Sequence, residues 1–152
     1  MAAKATIVDV TDAGFRAAQF GTPADWDTAD TGYLARLLKR VEAWSRGEFG
    51  DGYDDVPVTS ATHERLRAAE LCKVSHELWK RRAGFIDSNA VSSREGLAYL
   101  DRREFEEQAA RSLVCAETNM ALAKGERTPG SAVALTHVTT GPFVHGRASR
   151  CG

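Results

Sequence analysis

The stretch 60–84, SATHERLRAAELCKVSHELWKRRAG, decides the fold that we predict for this chain. Leu71, Val74 and Leu78 follow one another at steps of three and four residues, the spacing that places side chains on one face of a helix. A helix of this length spans about 36 Å at a rise of about 1.5 Å per residue. It is therefore long enough to form the spine of a small domain.

The two ends of this central helix carry signals that are typical of helix termini. Ser60 or Thr62 can cap the first turn, because a hydroxyl oxygen accepts hydrogen bonds from backbone N–H groups that the turn leaves unpaired. Gly84 is expected to end the helix in a left-handed conformation. The last turn carries three cations that suit the negative end of the helix dipole: Lys80, Arg81 and Arg82.

Two further amphipathic helices are predicted, one on each side of the central helix. The first spans residues 30–46 and is ended by Gly47, and the third spans 101–124 and is ended by Gly125. Residues 92–100 hold a candidate helix start and a short apolar run, so they fit either a helix or a short strand. The apolar stripes predict one core shared by the three helices, formed by Leu34, Leu37, Leu38, Val41, Leu71, Val74, Leu78, Phe105, Leu113 and Met120.

The first 30 residues are expected to form an entry segment. Residues 6–10 are a brief β-prone run that can pair at an edge or simply lead in, and a short helical turn is predicted after the cap signal at 11–12. Trp26 is expected to pin this segment to the domain. The predicted fold class is therefore all-α: a small bundle of three main helices with short N-terminal helical turns, forming a helical domain over 1–125, followed by an extended C-terminal tail.

The tail, residues 126–152, differs in character from the bundle. Pro129 and Gly130 block continuation of a helix, and the apolar residues that follow lack helical spacing. Part of the run 131–144 alternates as a strand does, and an isolated strand leaves its backbone groups unpaired. We therefore expect the tail to dock on a partner protein, with contacts at Val133, Leu135, Val138, Phe143 and Val144.

Length and composition place the chain among ordinary globular proteins. It has 152 residues, 43% of them hydrophobic, and a formal net charge of −1, so no overall basic field favours nucleic acid. We find no signal peptide and no apolar run long enough to span a membrane, and we expect synthesis in the cytoplasm. The three cysteines are an odd number without C-x-x-C spacing, and we expect buried thiols in a reducing compartment: Cys72, Cys115 and Cys151.

Charge is unevenly distributed along the chain. Residues 25–55 hold eight acidic and four basic residues, whereas the central helix holds six basic and three acidic residues. These opposite patches can be solvated helix faces, or they can pair within the fold or between neighbouring copies in a head-to-tail ring. In the second interpretation, the possible ring contacts are Asp51, Asp54 and Asp55 with Lys80, Arg81 and Arg82.

Catalytic and metal-binding signals are sparse. His63 and His76 are thirteen residues apart on the central helix, which is not the spacing that lets two imidazoles share a metal, and we expect surface or satisfied histidines. The tail histidines, His137 and His145, have no nearby carboxylate partner in the sequence. We find no nucleophile elbow, phosphate-binding loop, dinucleotide fingerprint or EF-hand pattern. The sequence predicts a protein that is not an enzyme and needs no metal or cofactor.

The order of these segments resembles the head-tail adaptor, or head-completion, proteins of long-tailed bacteriophages. The resemblance covers about residues 6–125 and rests on the lead-in WDTAD at 26–30, a first helix ending in WSRG at 44–47, an acidic aromatic loop, and the helical stretch 67–79 before a third long helix. The serine- and glycine-bearing segment that often precedes the third helix in that family is matched only loosely at 92–96.

The resemblance implies a structural role in the virion neck. Proteins of this family form a ring, commonly of twelve copies, below the portal protein, and present a surface to the next neck component, a stopper or tail terminator. The ring extends the channel through which DNA passes without sequence-specific binding, and no membrane is involved.

The competing hypothesis is a small helical regulatory or nucleic-acid-associated protein. Its contact surface would be the basic end of helix 60–84. An apolar, extended tail has no obvious use in a DNA-binding module of this size, and this feature favours the adaptor.

Overall fold

The fold is all-α, as the sequence predicts, in a computed structural model of the chain. The model describes the backbone of residues 3–20, 23, 25–89 and 95–125, and the side chains of these residues except 85–89 and 95–101. Within the described residues, four α-helices and one 3-10 turn follow one another: α1 (Ile7–Asp12), the 3-10 turn (Ala17–Phe20), α2 (Tyr33–Phe49), α3 (Ala61–Asn89) and α4 (Glu95–Ala123).

Helices α3 and α4 form a long antiparallel hairpin, the most extensive helix pairing in the described structure. The direction follows from contacts that run oppositely along the two helices. The rings of Trp79 and Phe105 stack with centroids 5.6 Å apart, whereas Arg65, near the start of α3, reaches Asn119, near the end of α4. The pairing explains why both helices can be 29 residues long, since each supports the other along much of its length.

The buried hydrophobic residues of the described structure form two clusters. The prediction of a single core shared by three helices is therefore wrong. The larger cluster joins α2, α3 and the entry segment: Ala5, Val10, Phe15, Phe20, Trp26, Leu34, Leu37, Leu38, Val41, Val74 and Leu78. The smaller lies where the loop after α2 meets α3 and the end of α4: Tyr53, Leu66, Ala69, Met120 and Ala123. Of the predicted core residues, Leu71, Phe105 and Leu113 are only half-buried.

Helix boundaries differ from the predicted ones at two glycines. Gly47 and Gly84 were expected to end α2 and α3, but both lie inside their helices, which continue to Phe49 and Asn89. Glycine destabilises a helix interior by only about 0.5–1 kcal/mol relative to alanine, which tertiary packing readily offsets. Gly50, with φ of 85°, ends α2 instead. Gly125, with φ of 75°, follows α4, so that prediction is confirmed.

The sequence leaves alternatives for the starts of two helices, and the structure decides between them. Ser60, rather than Thr62, caps α3, because its Oγ accepts from the backbone N–H of His63 over 3.1 Å. Helix α4 begins at Glu95, so the segment 92–100, ambiguous from sequence, is helical from that residue onward. The expected start at Asp101 is therefore six residues too late.

The β-prone run at 6–10 is helical. Thr6 caps α1 in a capping box, in which the Asp9 backbone N–H donates to Thr6 Oγ1 and the Thr6 backbone N–H donates to the Asp9 carboxylate. This reciprocal pair outweighs the weak strand preference of Ile7 and Val8. Val10 faces inward and is fully buried in the larger cluster.

Trp26 pins the entry segment to the domain, as predicted. Its ring is stacked between Phe20 and Tyr33, with centroid distances of 5.2 and 5.5 Å. Tyr33 is the first residue of α2, so the stack fixes the start of that helix against the segment before it.

The expectation of free buried thiols is wrong for two cysteines. Cys72 of α3 and Cys115 of α4 form a disulfide, with their Cα atoms 5.8 Å apart, and both residues are half-buried. The sequence does not predict this bond, because the number of cysteines is odd, no C-x-x-C spacing is present, and Cys72 and Cys115 come together only when the hairpin folds. Cys151 and the rest of the predicted tail lie outside the described residues.

Candidate functional site

A buried carboxylate in α3 ties the entry segment and the loop after α2 to the helical hairpin. Glu70 has no exposed surface. The backbone N–H of Ala5 donates to its Oε2 over 2.9 Å, and the hydroxyl of Tyr53 donates to its Oε1 over 2.5 Å. The N-terminal segment, 65 residues away from Glu70 in sequence, and the loop just before α3 are therefore held at one point of that helix.

Sequence reasoning missed Glu70, although a signal was present. Leu66 and Val74 lie four residues before and after it, so the three side chains share one helix face. A carboxylate on an apolar stripe must find hydrogen-bond donors, because an uncompensated buried charge costs several kcal/mol. Those donors are contributed by segments whose position relative to α3 depends on the tertiary fold.

Tyr53 lies between two cations. Its ring is buried, with the Lys4 ammonium 4.6 Å and the Arg46 guanidinium 4.7 Å from the ring centroid. Burial, and then the hydrogen bond to Glu70, raise the pKa of Tyr53 well above its ordinary range. The hydroxyl therefore stays protonated and remains a donor to the carboxylate at all physiological pH values.

The acidic loop is partly neutralised within the chain. Arg46 contacts Glu42 over 2.9 Å and makes a two-pronged contact with Asp54 over 2.5 and 2.7 Å. The hydrogen bond from Arg46 lowers the pKa of Asp54 below its ordinary value. Asp54, a predicted ring contact, therefore has an internal partner, whereas Asp51 and Asp55 are exposed and make no ion pair within the described part of the chain.

About two turns before the end of α3, and not in its last turn as predicted, two of the three basic residues at 80–82 pack on aromatic rings of their own chain. The Arg81 guanidinium lies 4.5 Å from the Tyr33 ring centroid, and that of Arg82 lies 4.3 Å from the Phe105 centroid. Arg82 is half-buried as a result, while Lys80 and Arg81 are exposed. This basic part of α3 is thus ordered by these stacks and still presents positive charge to solvent.

The entry segment has a second charged attachment to α3. Arg67 donates to the carboxylate of Asp9 in α1, and this hydrogen bond, more than any other influence, lowers the pKa of Asp9. Because Asp9 also closes the capping box of α1, one carboxylate both stabilises a short helix and fixes it to the hairpin.

The two described histidines have different surroundings. His76 Nδ1 lies 2.8 Å from the carbonyl oxygen of Ala109, so this histidine is satisfied, as expected, by a contact across the hairpin. His63 is buried and its Nδ1 has no hydrogen-bond partner among the described residues, contrary to the expectation of a surface or satisfied side chain. The described residues contain no group of three or more metal-ligating side chains.

A cleft of about 300 Å³ lies beside the end of α4. Trp44, Leu113 and Met120 form part of its wall, and its charged residues have both signs: Glu48, Lys73, Glu117 and Lys124. The Lys124 ammonium is 3.5 Å from the Glu48 carboxylate, and the Lys73 ammonium lies 5.4 Å from the Trp44 ring centroid. With charges largely balanced at its wall, the cleft carries no strong preference for a charged small molecule.

The predicted tail-docking residues lie outside the described residues, and their role stays a prediction: Val133, Leu135, Val138, Phe143 and Val144. The same holds for His137 and His145. The structure thus places the predicted ring contacts in the loop before α3 and in the C-terminal half of that helix, and it adds the network around Glu70, which was not predicted.

In the part of the chain described above, no helix is both long enough and apolar enough to cross a bilayer. Comparison with known proteins gives no match of the chain to a protein-family model, to a curated protein or to a solved structure.

Proposed function

We propose that this chain is a structural virion protein, a head-tail adaptor whose copies form a ring between the portal and the next neck component. The observation that carries the proposal is the exposure of acidic residues just before α3 and of basic residues in its C-terminal half. Asp51 and Asp55 are exposed shortly before the helix begins, and Lys80 and Arg81 are exposed towards its far end. The helix rises about 30 Å between Ala61 and Arg81.

Such an arrangement suits head-to-tail contact between identical copies. In a heterologous interface, one surface of each subunit meets a different surface of the next, and a ring results when the rotation closes. Complementary charge orients such contacts and speeds their formation. Each charged region is also internally ordered, because Arg46 holds Asp54 and the tyrosine ring of α2 supports Arg81.

The tail has a separate part in this proposal. Residues 126–152 follow Gly125, the glycine after α4 at which the described hairpin ends. We assign them the contact with the portal or an adjacent subunit, on the strength of the alternating apolar residues in 131–144. A dodecameric ring around the DNA channel is the assembly that the sequence resemblance favours.

The competing function, binding of nucleic acid or a regulatory partner by the basic residues at 80–82 of α3, is less well supported. Arg81 and Arg82 pack on rings of the same chain, which limits their freedom to follow a phosphate backbone. The tail and the acidic loop would have no part in it.

The experiment is a binding assay with portal-bearing heads that lack this protein. We expect the full chain to sediment with the heads and the chain truncated after Gly125 to remain in the supernatant, while circular dichroism shows both to be helical. Leu135→Asp should weaken binding, and Ser149→Asp, elsewhere in the tail, serves as the matched control.

Two outcomes would contradict the proposal. One is binding of the truncated chain with undiminished affinity, which would remove the tail from the docking surface. The other is tight binding of duplex DNA by the full chain that is lost on Lys80→Glu, which would favour the competing function.

A further inference from the structure

The Cys72–Cys115 pair sits where the hairpin itself brings two helices together. Its Cα separation of 5.8 Å falls within the range that a disulfide requires. Neighbouring contacts between α3 and α4 on both sides of the pair hold the helices at this spacing: His76 reaches Ala109 on one side, and Arg65 reaches Asn119 on the other. We therefore expect the hairpin to keep this spacing when the bond is reduced.

One of the two sulfurs has a polar neighbour suited to stabilise a thiolate. Asn119 Nδ2 lies 3.5 Å from Cys115 Sγ and donates to the Cys115 backbone carbonyl over 2.9 Å. Arg65 Nη1 in turn lies 3.5 Å from Asn119 Oδ1. A guanidinium that donates to the amide oxygen polarises the amide and makes its N–H a stronger hydrogen-bond donor. A donor directed at sulfur stabilises the thiolate, which is the reactive form of cysteine.

We propose that this pair is a redox lock: two thiols when the chain is made in a reducing compartment, and a disulfide once the protein meets an oxidising one. Both residues are half-buried rather than sealed in a core, and closure of the lock requires that a small disulfide such as oxidised glutathione reach Cys115 Sγ. The consequence for a virion, covalent hardening of each ring subunit after assembly, rests on the function proposed above. The lock itself does not.

The chemistry balances in two exchange steps. The Cys115 thiolate attacks one sulfur of oxidised glutathione, forms a mixed disulfide and releases one glutathione thiolate. The Cys72 thiolate then attacks Cys115 Sγ and releases the second. The two cysteines lose two electrons and two protons, and one oxidised glutathione becomes two reduced molecules.

The test is a count of thiols in the full chain carrying Cys151→Ser, which removes the third cysteine. Samples equilibrated in glutathione buffers of different ratio are alkylated, and their mass is measured. We expect two alkylated thiols per chain in reducing buffer, none in oxidising buffer, and no covalent dimer. Two alkylatable thiols in oxidising buffer, or cross-linked dimers, would overturn the proposal.

A rate measurement tests the role of Asn119. Asn119→Ala should slow closure of the lock by roughly threefold or more at neutral pH and move the rise of the rate to higher pH, since the rate depends on the thiolate fraction of the attacking sulfur. A changed helix spacing alone would leave the pH profile in place. Thr118→Ala, at the adjacent position, is the control and should leave the rate unchanged. If Asn119→Ala unfolds the hairpin, Arg65→Met replaces it. An unchanged rate in a folded variant would show that the amide does not activate Cys115. None of these readouts uses phage heads, so failure of the lock and failure of the adaptor function are distinguishable.

Discussion

Glu70 illustrates how a single residue can organise distant segments. It is a fully buried carboxylate whose oxygens accept from the backbone of Ala5 and the hydroxyl of Tyr53. Such a group stabilises the fold only while its donors are in place, because a buried acceptor without a partner costs free energy. The entry segment and the acidic loop therefore depend on α3 for their position.

Removal of the Tyr53 hydroxyl should show how strongly the fold depends on the hydrogen bonds to Glu70. Tyr53→Phe keeps the ring between its two cations but leaves Glu70 Oε1 without its donor. We expect the free energy of unfolding, measured in urea, to fall by about 1.5–3 kcal/mol, the range for hydrogen bonds to charged groups. Tyr33→Phe removes a hydroxyl from a half-buried ring and should cost much less. Equal costs would show that the Glu70 contact is not energetically important.

Stability at low pH should depend on Asp9 and Asp54. Both have a pKa below the ordinary value of 3.8 because arginine partners donate to them. Their contribution is therefore present above the ordinary pKa and is lost as pH falls towards the folded-state pKa, since the unfolded chain takes up protons first. We expect stability to decline below about pH 4.

Arg67→Met tests the Asp9 part of this pH dependence. In this variant the decline below the ordinary carboxylate pKa should be shallower, whereas Arg111→Met, at an exposed position on α4, should leave the slope as in the wild type. An identical slope in all three proteins, from urea unfolding at a series of pH values, would contradict the assignment.

At the scale of the elements, two glycines differ in role: one lies inside a helix and the other ends one. Gly84 lies inside α3, and Gly50 ends α2 with φ of 85°. A Cβ at either position would meet no other atom within 4 Å, so backbone conformation alone decides the effect.

Alanine substitution should therefore shift stability in opposite directions at the two sites. Gly84→Ala should stabilise the fold by about 0.5–1 kcal/mol, because the unfolded chain loses freedom and the helix gains a better helix former. Gly50→Ala should destabilise it by about 1–3 kcal/mol, because φ of 85° with ψ of −155° is a conformation that essentially only glycine adopts. Thermal melts that shift in the same direction for both would refute this.

The cluster between α2 and α3 should carry much of the stability. Leu37 and Leu78 are almost fully buried there. Leu37→Ala or Leu78→Ala is expected to lower the free energy of unfolding by about 2–5 kcal/mol, as large-to-small changes in cores do. Leu122→Ala, at a position 38% exposed on α4, is the matched control and should have a small effect. Urea melts that overlay the wild type would contradict the assigned core.

These elements also show what the sequence can predict. The spacing of Leu34, Leu37 and Leu38 predicts α2 and its buried face because helical periodicity is local information, although the helix spans Tyr33–Phe49 rather than the predicted 30–46. The extension of α3 past Gly84, the disulfide and the partners of Glu70 could not be predicted, because each depends on a neighbour that only the folded chain supplies. The capping box of α1 involves Thr6 and Asp9, three residues apart, so a local signal for this helix is present in the sequence although the strand propensity of residues 6–10 points the other way.

At the scale of the whole molecule, the α3–α4 hairpin is the element on which the other described segments pack. The entry segment and α2 pack on one part of it, and the acidic loop is anchored beside the start of α3. This arrangement leaves Asp51 and Asp55 exposed near one end and Lys80 and Arg81 exposed towards the other. The proposed ring depends on contact between these two ends.

A charge-swap experiment, read by native mass spectrometry at low ionic strength, tests this central claim most directly. The wild type should form closed rings of one size. The acid-reversed variant Asp51→Lys/Asp55→Lys and the base-reversed variant Lys80→Glu/Arg81→Glu should each remain monomeric, because each then carries the same charge at both ends. An equimolar mixture should restore rings with alternating subunits. A wild type that stays monomeric, or variants that assemble alone as well as the mixture does, would contradict the account.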